Sequence, residues 1–220
     1  MTPAGARPFR EVDVLMGATP DRMRDMAIVH LESGPRALPL DAARAGVLAT
    51  RLAELMGVFD RPAAGRIDRR MVGLAIASAA QAGLAEQVAA RPDAAEPGER
   101  TILAFLEALR NSPRPASEIT RLSRIFGFPG LAGLVGASEP SLRRYAAATR
   151  PVPDPVAERV HFLAQLVAIL RGSFNEFGIR RWFERPHPAL ENRAPRLLVR
   201  ADPAESGPQA TLAAALQLLA

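Results

Sequence analysis

Apolar residues recur at spacings of three and four along most of the chain and almost never alternate with a period of two. Because that spacing places apolar side chains on one face of a helix, we predict an all-α protein. The chain has 20 prolines and 16 glycines, which separate the apolar stretches. The segment from Arg196 to Arg200 is the one exception, and its pattern also fits an extended turn.

The N-terminal half is predicted to contain four helices after an irregular segment over residues 1 to 18. Three of them cover Asp21 to Leu31, Asp41 to Gly57 and Glu99 to Arg110. The fourth is a long alanine-rich helix over residues 66 to 90, which is apolar on most sides and is therefore expected to be buried. Two prolines between residues 111 and 117 predict a linker, because proline is not tolerated inside a helix.

The second half carries clearer helix boundaries. Asp154 followed by proline is typical of a helix N-cap, and this helix is expected to end at Gly172. Ser173 and Glu176 have the spacing of a capping box that opens the next helix. The remaining helices are predicted over residues 117–126, 131–135 and 138–148, and from about residue 209 to the end.

The segment from residue 130 to 145 has the pattern of a helix-turn-helix. Ala132 is small enough for a second helix to pack across it, and Gly136, four residues later, tolerates a left-handed backbone at the turn. Ser138 can cap the second helix, while Leu142 and Tyr145 lie at the spacing of apolar anchors beneath it.

Such a second helix presents its N-terminal residues to base edges in the major groove, with neighbouring arginines on phosphates. The residues expected to contact DNA are Ser138, Glu139, Ser141, Arg143, Arg144 and Arg150. The alternative is an ordinary helical hairpin with a solvated basic face.

The charge composition adds little to this expectation. All 28 basic residues are arginine, the net charge is +5, and the sequence pI is about 11.1. A charge of +5 over 220 residues permits a nucleic-acid partner without requiring one. The arginine bias also fits GC-rich coding.

Several kinds of chemistry are excluded or disfavoured. Cysteine is absent, which excludes disulfides, thiol nucleophiles and cysteine zinc sites. His30, His161 and His187 are far apart, and no P-loop, dinucleotide fingerprint or serine-hydrolase motif is present. We therefore expect no enzyme activity, no metal and no cofactor. The sequence has neither a secretory signal nor a membrane-spanning stretch, so a cytoplasmic protein without membrane association is expected.

Two segments together resemble the MbcA/ParS/Xre antitoxin family. Residues 131–160 resemble an Xre-type helix-turn-helix, with Leu131, Ser138 and Tyr145 in the pattern and Thr149 opening the connector to the next helix. Residues 173–219 resemble the family's C-terminal module. The matching residues are Phe174, the segment 181–183 around Trp182, the segment 186–190 and the segment 194–198. A Glu-Asn-Arg turn at 191–193 replaces the family's glycine-rich turn.

The resemblance implies three regions. These are a helical N-terminal region of unknown role over residues 1–112, an Xre-like domain over 113–172, and a C-terminal toxin-binding domain over 173–220. It further implies an antitoxin of a type II toxin-antitoxin system, which dimerises, binds its promoter for autoregulation and neutralises a RES-type toxin that consumes NAD.

By the same resemblance, the surface of this chain that binds the toxin would be built or supported by Trp182, Leu190, Arg196, Leu197 and Leu198. The side chains of Trp182, Phe174 and Phe177 are themselves expected to pack in the core and to shape the module rather than to touch the partner. Two other functions stay open: a stand-alone helix-turn-helix regulator without a toxin partner, and an interaction protein whose helix-turn-helix does not bind DNA.

Overall fold

The computed structural model describes residue 38 and residues 40–62 and 66–219. These residues form helices and turns, with a single isolated β-bridge between His187 and Arg193, so the predicted all-α class is confirmed. The helix predicted at residues 21–31 and the irregular segment 1–18 lie outside the described residues. The helices are α1 (Leu40–Leu55), α2 (Arg69–Gln81), α3 (Glu86–Ala89), α4 (Glu99–Arg110), α5 (Pro115–Val135), α6 (Glu139–Ala146), α7 (Asp154–Leu170), α8 (Glu176–Glu184), α9 (Pro195–Leu198) and α10 (Ser206–Leu216), with 3₁₀ turns at Pro188–Leu190 and Gln217–Leu219.

Helix α7 forms the centre of the fold. Its last eleven residues, 160–170, are buried with the exception of half-buried Gln165. A helix that is buried on all sides needs neighbours all round it, and α1, α5 and α10 pack against it. The main apolar core therefore runs from Leu38 to Ala215 and draws on most of the described helices.

The predicted helix at residues 41–57 corresponds to α1. Leu48, Leu52 and Leu55 are buried on one face, as the spacing predicts. Gly57 ends the helix with φ +69°, a left-handed conformation that glycine adopts without strain.

The long helix predicted over residues 66–90 is wrong. The chain forms α2 and the single turn α3 instead, because Gly83 and Ala85 both have positive φ and interrupt the helix. The expectation that this helix is buried on most sides is also wrong, since Leu74 is 54% exposed. Gly83 is the local signal for this break, since glycine adopts a left-handed backbone after a helix end without strain.

A buried ion pair joins α5 to α7. The Nδ1 atom of His161 donates to Oε1 of Glu118 at 2.7 Å, and Nε2 donates to the carbonyl of Arg110 at 2.9 Å. Burial by itself lowers the pKa of His161. The hydrogen bond and negative charge of Glu118, together with the Arg110 carbonyl, have a larger effect in the opposite direction, so the pKa of His161 is raised above its usual value. The imidazolium form satisfies both acceptors.

The helix boundaries after residue 110 differ in detail from the predictions. The proline-containing segment before α5 is a short turn, and Pro115 is the first residue of α5, where no N–H is needed. Pro153, rather than Asp154, is the N-cap of α7. Asn175 caps α8 by accepting from the amide of Gly178 at 2.9 Å, so the capping box at Ser173 is wrong.

The C-terminal residues are helical throughout their apolar stretches. The segment at 196–200, which also fitted an extended turn, lies in α9 and the turn after it. The last helix begins at Ser206, three residues before the predicted start. Within the described part of the chain, no helix is long and apolar enough to cross a membrane.

Candidate nucleic-acid interface

The turn between α5 and α6 has the backbone of a helix-turn-helix. Helix α5 is interrupted at Gly127 (φ +69°, ψ 161°), so its second half, up to Val135, is the first helix of the hairpin. Gly136 follows with φ +66° and ψ +34°, the left-handed conformation predicted for it. Its amide and that of Ala137 donate to the carbonyl of Ala132 at 3.0 and 3.3 Å, which closes the end of the helix.

Helix α6 is fixed at its start and along its inner face. The hydroxyl of Ser138 accepts from the amide of Ser141 and donates to its hydroxyl at 2.8 Å, so the predicted cap is confirmed. Leu142 and Tyr145 are buried, as the spacing predicts. These contacts turn the opposite face of α6 toward solvent.

The outer face of α6 carries two exposed arginines. Arg143 pairs with Glu139, with 2.6 Å between Nη2 and Oε1, and its guanidinium lies 4.4 Å from the centre of the Phe128 ring. Arg144 donates from Nε to the carbonyl of Pro140 at 3.3 Å. An exposed pair of this kind contributes only a few tenths of a kcal/mol, about 0.3–0.5, so a phosphate or a base can displace Glu139.

The remaining residues predicted to contact DNA flank these arginines. Glu139 and Ser141 are half-buried, and Ser138 is exposed. Arg150 is exposed in the connector to α7, just beyond Thr149, whose amide and hydroxyl both bond the carbonyl of Arg144. The structure thus brings the predicted set together at the start of α6, along its outer face and in the loop that follows it.

One positioning residue was missed from the sequence. Arg159 on α7 donates from Nε to the carbonyl of Val135 at 2.8 Å and so holds the end of the first hairpin helix against the core. The two residues are 24 positions apart, and Arg159 lies in a helix whose polar residues look like ordinary surface positions. No spacing rule connects them.

The residues predicted to bind or support a toxin divide into two groups. Trp182, Leu190 and Leu198 are buried, which favours a supporting role. Arg196 and Leu197 are exposed, and Leu197 is 63% exposed. Arg196 forms an ion pair with Glu184 at 3.0 Å, which ties α9 to α8.

The aromatic residues of α8 have different roles. Trp182 stacks edge-on against Phe183, with ring centres 5.2 Å apart, and Phe183 stacks in the same way against Phe126 of α5. Core packing is therefore confirmed for Trp182, while Phe174 is half-buried. Core packing for Phe177 is wrong, because this ring is 59% exposed and lies beside the guanidinium of Arg181.

The described residues contain no group of three or more histidine, aspartate or glutamate side chains placed to hold a metal ion. Comparison with known proteins gives no relative for this chain: no family model, no curated protein and no solved structure matches it.

Proposed function

We propose that the protein is a DNA-binding antitoxin of a type II toxin-antitoxin system, which represses its own promoter and neutralises a RES-type, NAD-consuming toxin without being an enzyme itself. The single observation that supports this best is the hairpin of α5 and α6, with a left-handed glycine at the turn, a serine cap and two exposed arginines on α6. A cytoplasmic location and a homodimer belong to the same proposal.

The DNA-binding half of the proposal rests on Arg143 and Arg144. Guanidinium groups bond phosphates and the O6 and N7 atoms of guanine, and both arginines are exposed in the last turn of α6. We expect Arg143→Ala combined with Arg144→Ala to weaken binding to the upstream DNA by about 10- to 100-fold, since two charge-assisted contacts are lost. Fluorescence anisotropy with labelled promoter DNA measures this.

Arg100→Ala is the matched control, because Arg100 is an exposed arginine on α4, away from the hairpin sequence. It should bind as tightly as the wild type. If the double variant also binds as tightly as the wild type, α6 does not read DNA.

The toxin-binding half rests on the exposed apolar side chains of the C-terminal helices. Leu197 on α9 and Phe177 on α8 are largely exposed, and Arg181 and Arg196 lie on the same two helices. An apolar residue next to arginines is the kind of surface that binds a protein partner, since arginines and aromatic rings are enriched at the centres of interfaces.

We expect Leu197→Asp to abolish rescue from a co-expressed RES-type toxin, because an unpaired carboxylate would be buried against the partner. Growth and cellular NAD content are the readouts. Leu103→Asp is the matched control, since Leu103 is a 44% exposed leucine on α4. Full rescue by Leu197→Asp would exclude α9 from the toxin interface.

A point substitution is preferable to removal of residues 196–220. Val199 and Ala215 belong to the main core, and Leu198 packs with Leu190 and Ala214. A truncated chain would expose these residues, so its failure to rescue would not identify a binding surface.

The second candidate function is a helix-turn-helix regulator with no toxin partner. The same hairpin supports it. Promoter binding by a chain that neither co-purifies with a RES-type toxin nor protects against one would favour this function over the first.

A further inference from the structure

A polar cleft of about 270 Å³ lies away from α6, where the end of α1, the loop after it, the first half of α5 and the junction of α7 with α8 meet. We name it the arginine cleft. Its lining residues are Glu54, Leu55, Asp60, Arg61, Arg121, Arg124, Arg171 and Glu176. Neither the predicted DNA contacts nor the predicted toxin contacts include any of them.

The carboxylates of the cleft hold some of its arginines in place. Glu54 accepts from Nε of Arg61 at 2.7 Å and lies 3.6 Å from Arg171, and Asp60 pairs with Arg121 at 2.7 Å. Three separate stretches of chain are thereby tied together. The guanidinium groups are consequently positioned before any ligand arrives, which lowers the ordering cost of binding.

Positive charge nevertheless exceeds negative charge here. Arg51, one turn before Glu54 on α1, is half-buried beside the cleft. The pKa of Arg51 is lowered to about 10, mainly by burial and also by the nearby positive charges of Arg61 and Arg171. The negative charge of Glu54 offsets part of this effect. The lining holds four arginines and three carboxylates, and Arg51 beside it raises the number of arginines to five, so two positive charges are not balanced.

Two of these arginines have capacity left for a ligand. Among the described residues, neither Arg51 nor Arg124 has a hydrogen-bond or ion-pair partner, and Arg124 is exposed at the cleft. Arg171 is half-buried, and this burial lowers its pKa. The negative charges of Glu54 and Glu176 offset only part of this lowering. An anion would relieve the repulsion among these groups.

We propose that the arginine cleft is a binding site for a free phosphate group that carries at least two negative charges, with Arg124 and Arg171 supplying the contacts and Arg51 adding positive charge beside them. Arginine bonds phosphate in bidentate geometry, and a dianion matches the excess of two positive charges. The volume falls just below the roughly 300–1,000 Å³ of drug-sized ligand sites, which indicates a small phosphate-bearing molecule. The site does not depend on DNA binding by α6.

One set of variants distinguishes such a free phosphate from a phosphodiester of bound DNA, which carries only one negative charge. Titration calorimetry of the full chain with inorganic pyrophosphate at low ionic strength measures the first. We expect wild-type protein to bind, Arg124→Ala to weaken binding by about 10-fold, equivalent to one charge-assisted contact, and Arg100→Ala to leave it unchanged.

The salt dependence of promoter binding by Arg124→Ala measures the second source. If Arg124→Ala has the wild-type slope of log K against log salt but binds pyrophosphate more weakly, the site is assigned to a free ligand. A slope reduced by about 0.9, with no pyrophosphate binding by any protein, would place the cleft on the DNA backbone and overturn the proposal. The proposal is overturned if Arg124→Ala changes neither quantity, or if Arg100→Ala weakens pyrophosphate binding as much. Arg143 and Arg144 are intact in these variants, so failure here leaves the proposed function of α6 untouched.

Discussion

The central helices and the C-terminal segment are stabilised in different ways. Around α7, apolar residues from α1, α4 and α5 form one core, and the Glu118–His161 pair crosses it. The C-terminal segment joins that core through Val199 and Ala215, but its Leu190, Leu198 and Ala214 form a small cluster of their own beside it. The centre is therefore expected to be rigid, whereas the C-terminal segment leaves side chains exposed for a partner.

The largest effect is expected from breaking the buried pair in the centre. His161→Ala leaves the buried Glu118 with the amide of Arg114 but without its charged partner, and we expect the free energy of unfolding to fall by about 3–5 kcal/mol. Chemical denaturation measures this. A decrease in the free energy of unfolding of less than about 1 kcal/mol would show that the pair contributes little to the stability of the core.

The second effect concerns the small cluster. Leu198→Ala removes one of its three members, and we expect a loss of about 2–3 kcal/mol at a site that can partly collapse. Leu197→Ala is the matched control at the neighbouring, exposed position and should change stability by less than about 0.5 kcal/mol. Equal effects of the two substitutions would contradict the assignment of Leu198 to a packed cluster.

Faster amide exchange confined to α9 and α10 in Leu198→Ala would sharpen the comparison, since it would show that the C-terminal segment opens independently.

The third and smaller effect is a pH dependence of the free energy of unfolding, which we expect to arise in the central helices, where His161 lies. Because the pKa of His161 is raised in the folded protein, its contribution to stability is complete below the unfolded pKa of about 6.5 and is lost as the pH rises through the folded value. Over this range the folded protein binds the proton more tightly, so stability falls with rising pH by up to about 1.4 kcal/mol per unit.

The measurement is the free energy of unfolding between about pH 6 and 9, compared with His161→Gln, which has no titrating ring. The difference between the two proteins should shrink as the pH rises. A difference that grows with pH would mean that the buried ring is neutral in the folded state.

The sequence predicted those parts of the structure that depend on local spacing. The face of α1, the bounds of α4, the left-handed Gly136, the Ser138 cap and the buried Leu142 all follow from rules that span a few residues. The residues predicted to contact DNA lie close together in the chain, so their proximity could be predicted.

Features that depend on distant residues could not be predicted. The Glu118–His161 pair joins positions 43 apart, and the arginine cleft draws on three separate stretches of chain. Between α2 and α3, Gly83 is a local signal for the break, but the left-handed conformation of Ala85 is one that alanine rarely adopts and was not predicted. Phe177 was assigned to the core from its hydrophobicity alone, yet the turn of α8 leaves it exposed.

The salt dependence of promoter binding tests the central claim, that the outer face of α6 contacts DNA, most directly. For wild-type protein, log K should fall steeply with log salt, and Arg143→Ala with Arg144→Ala should reduce that slope by about 1.8, since two phosphate contacts no longer release counterions. An unchanged slope with unchanged affinity would contradict the claim.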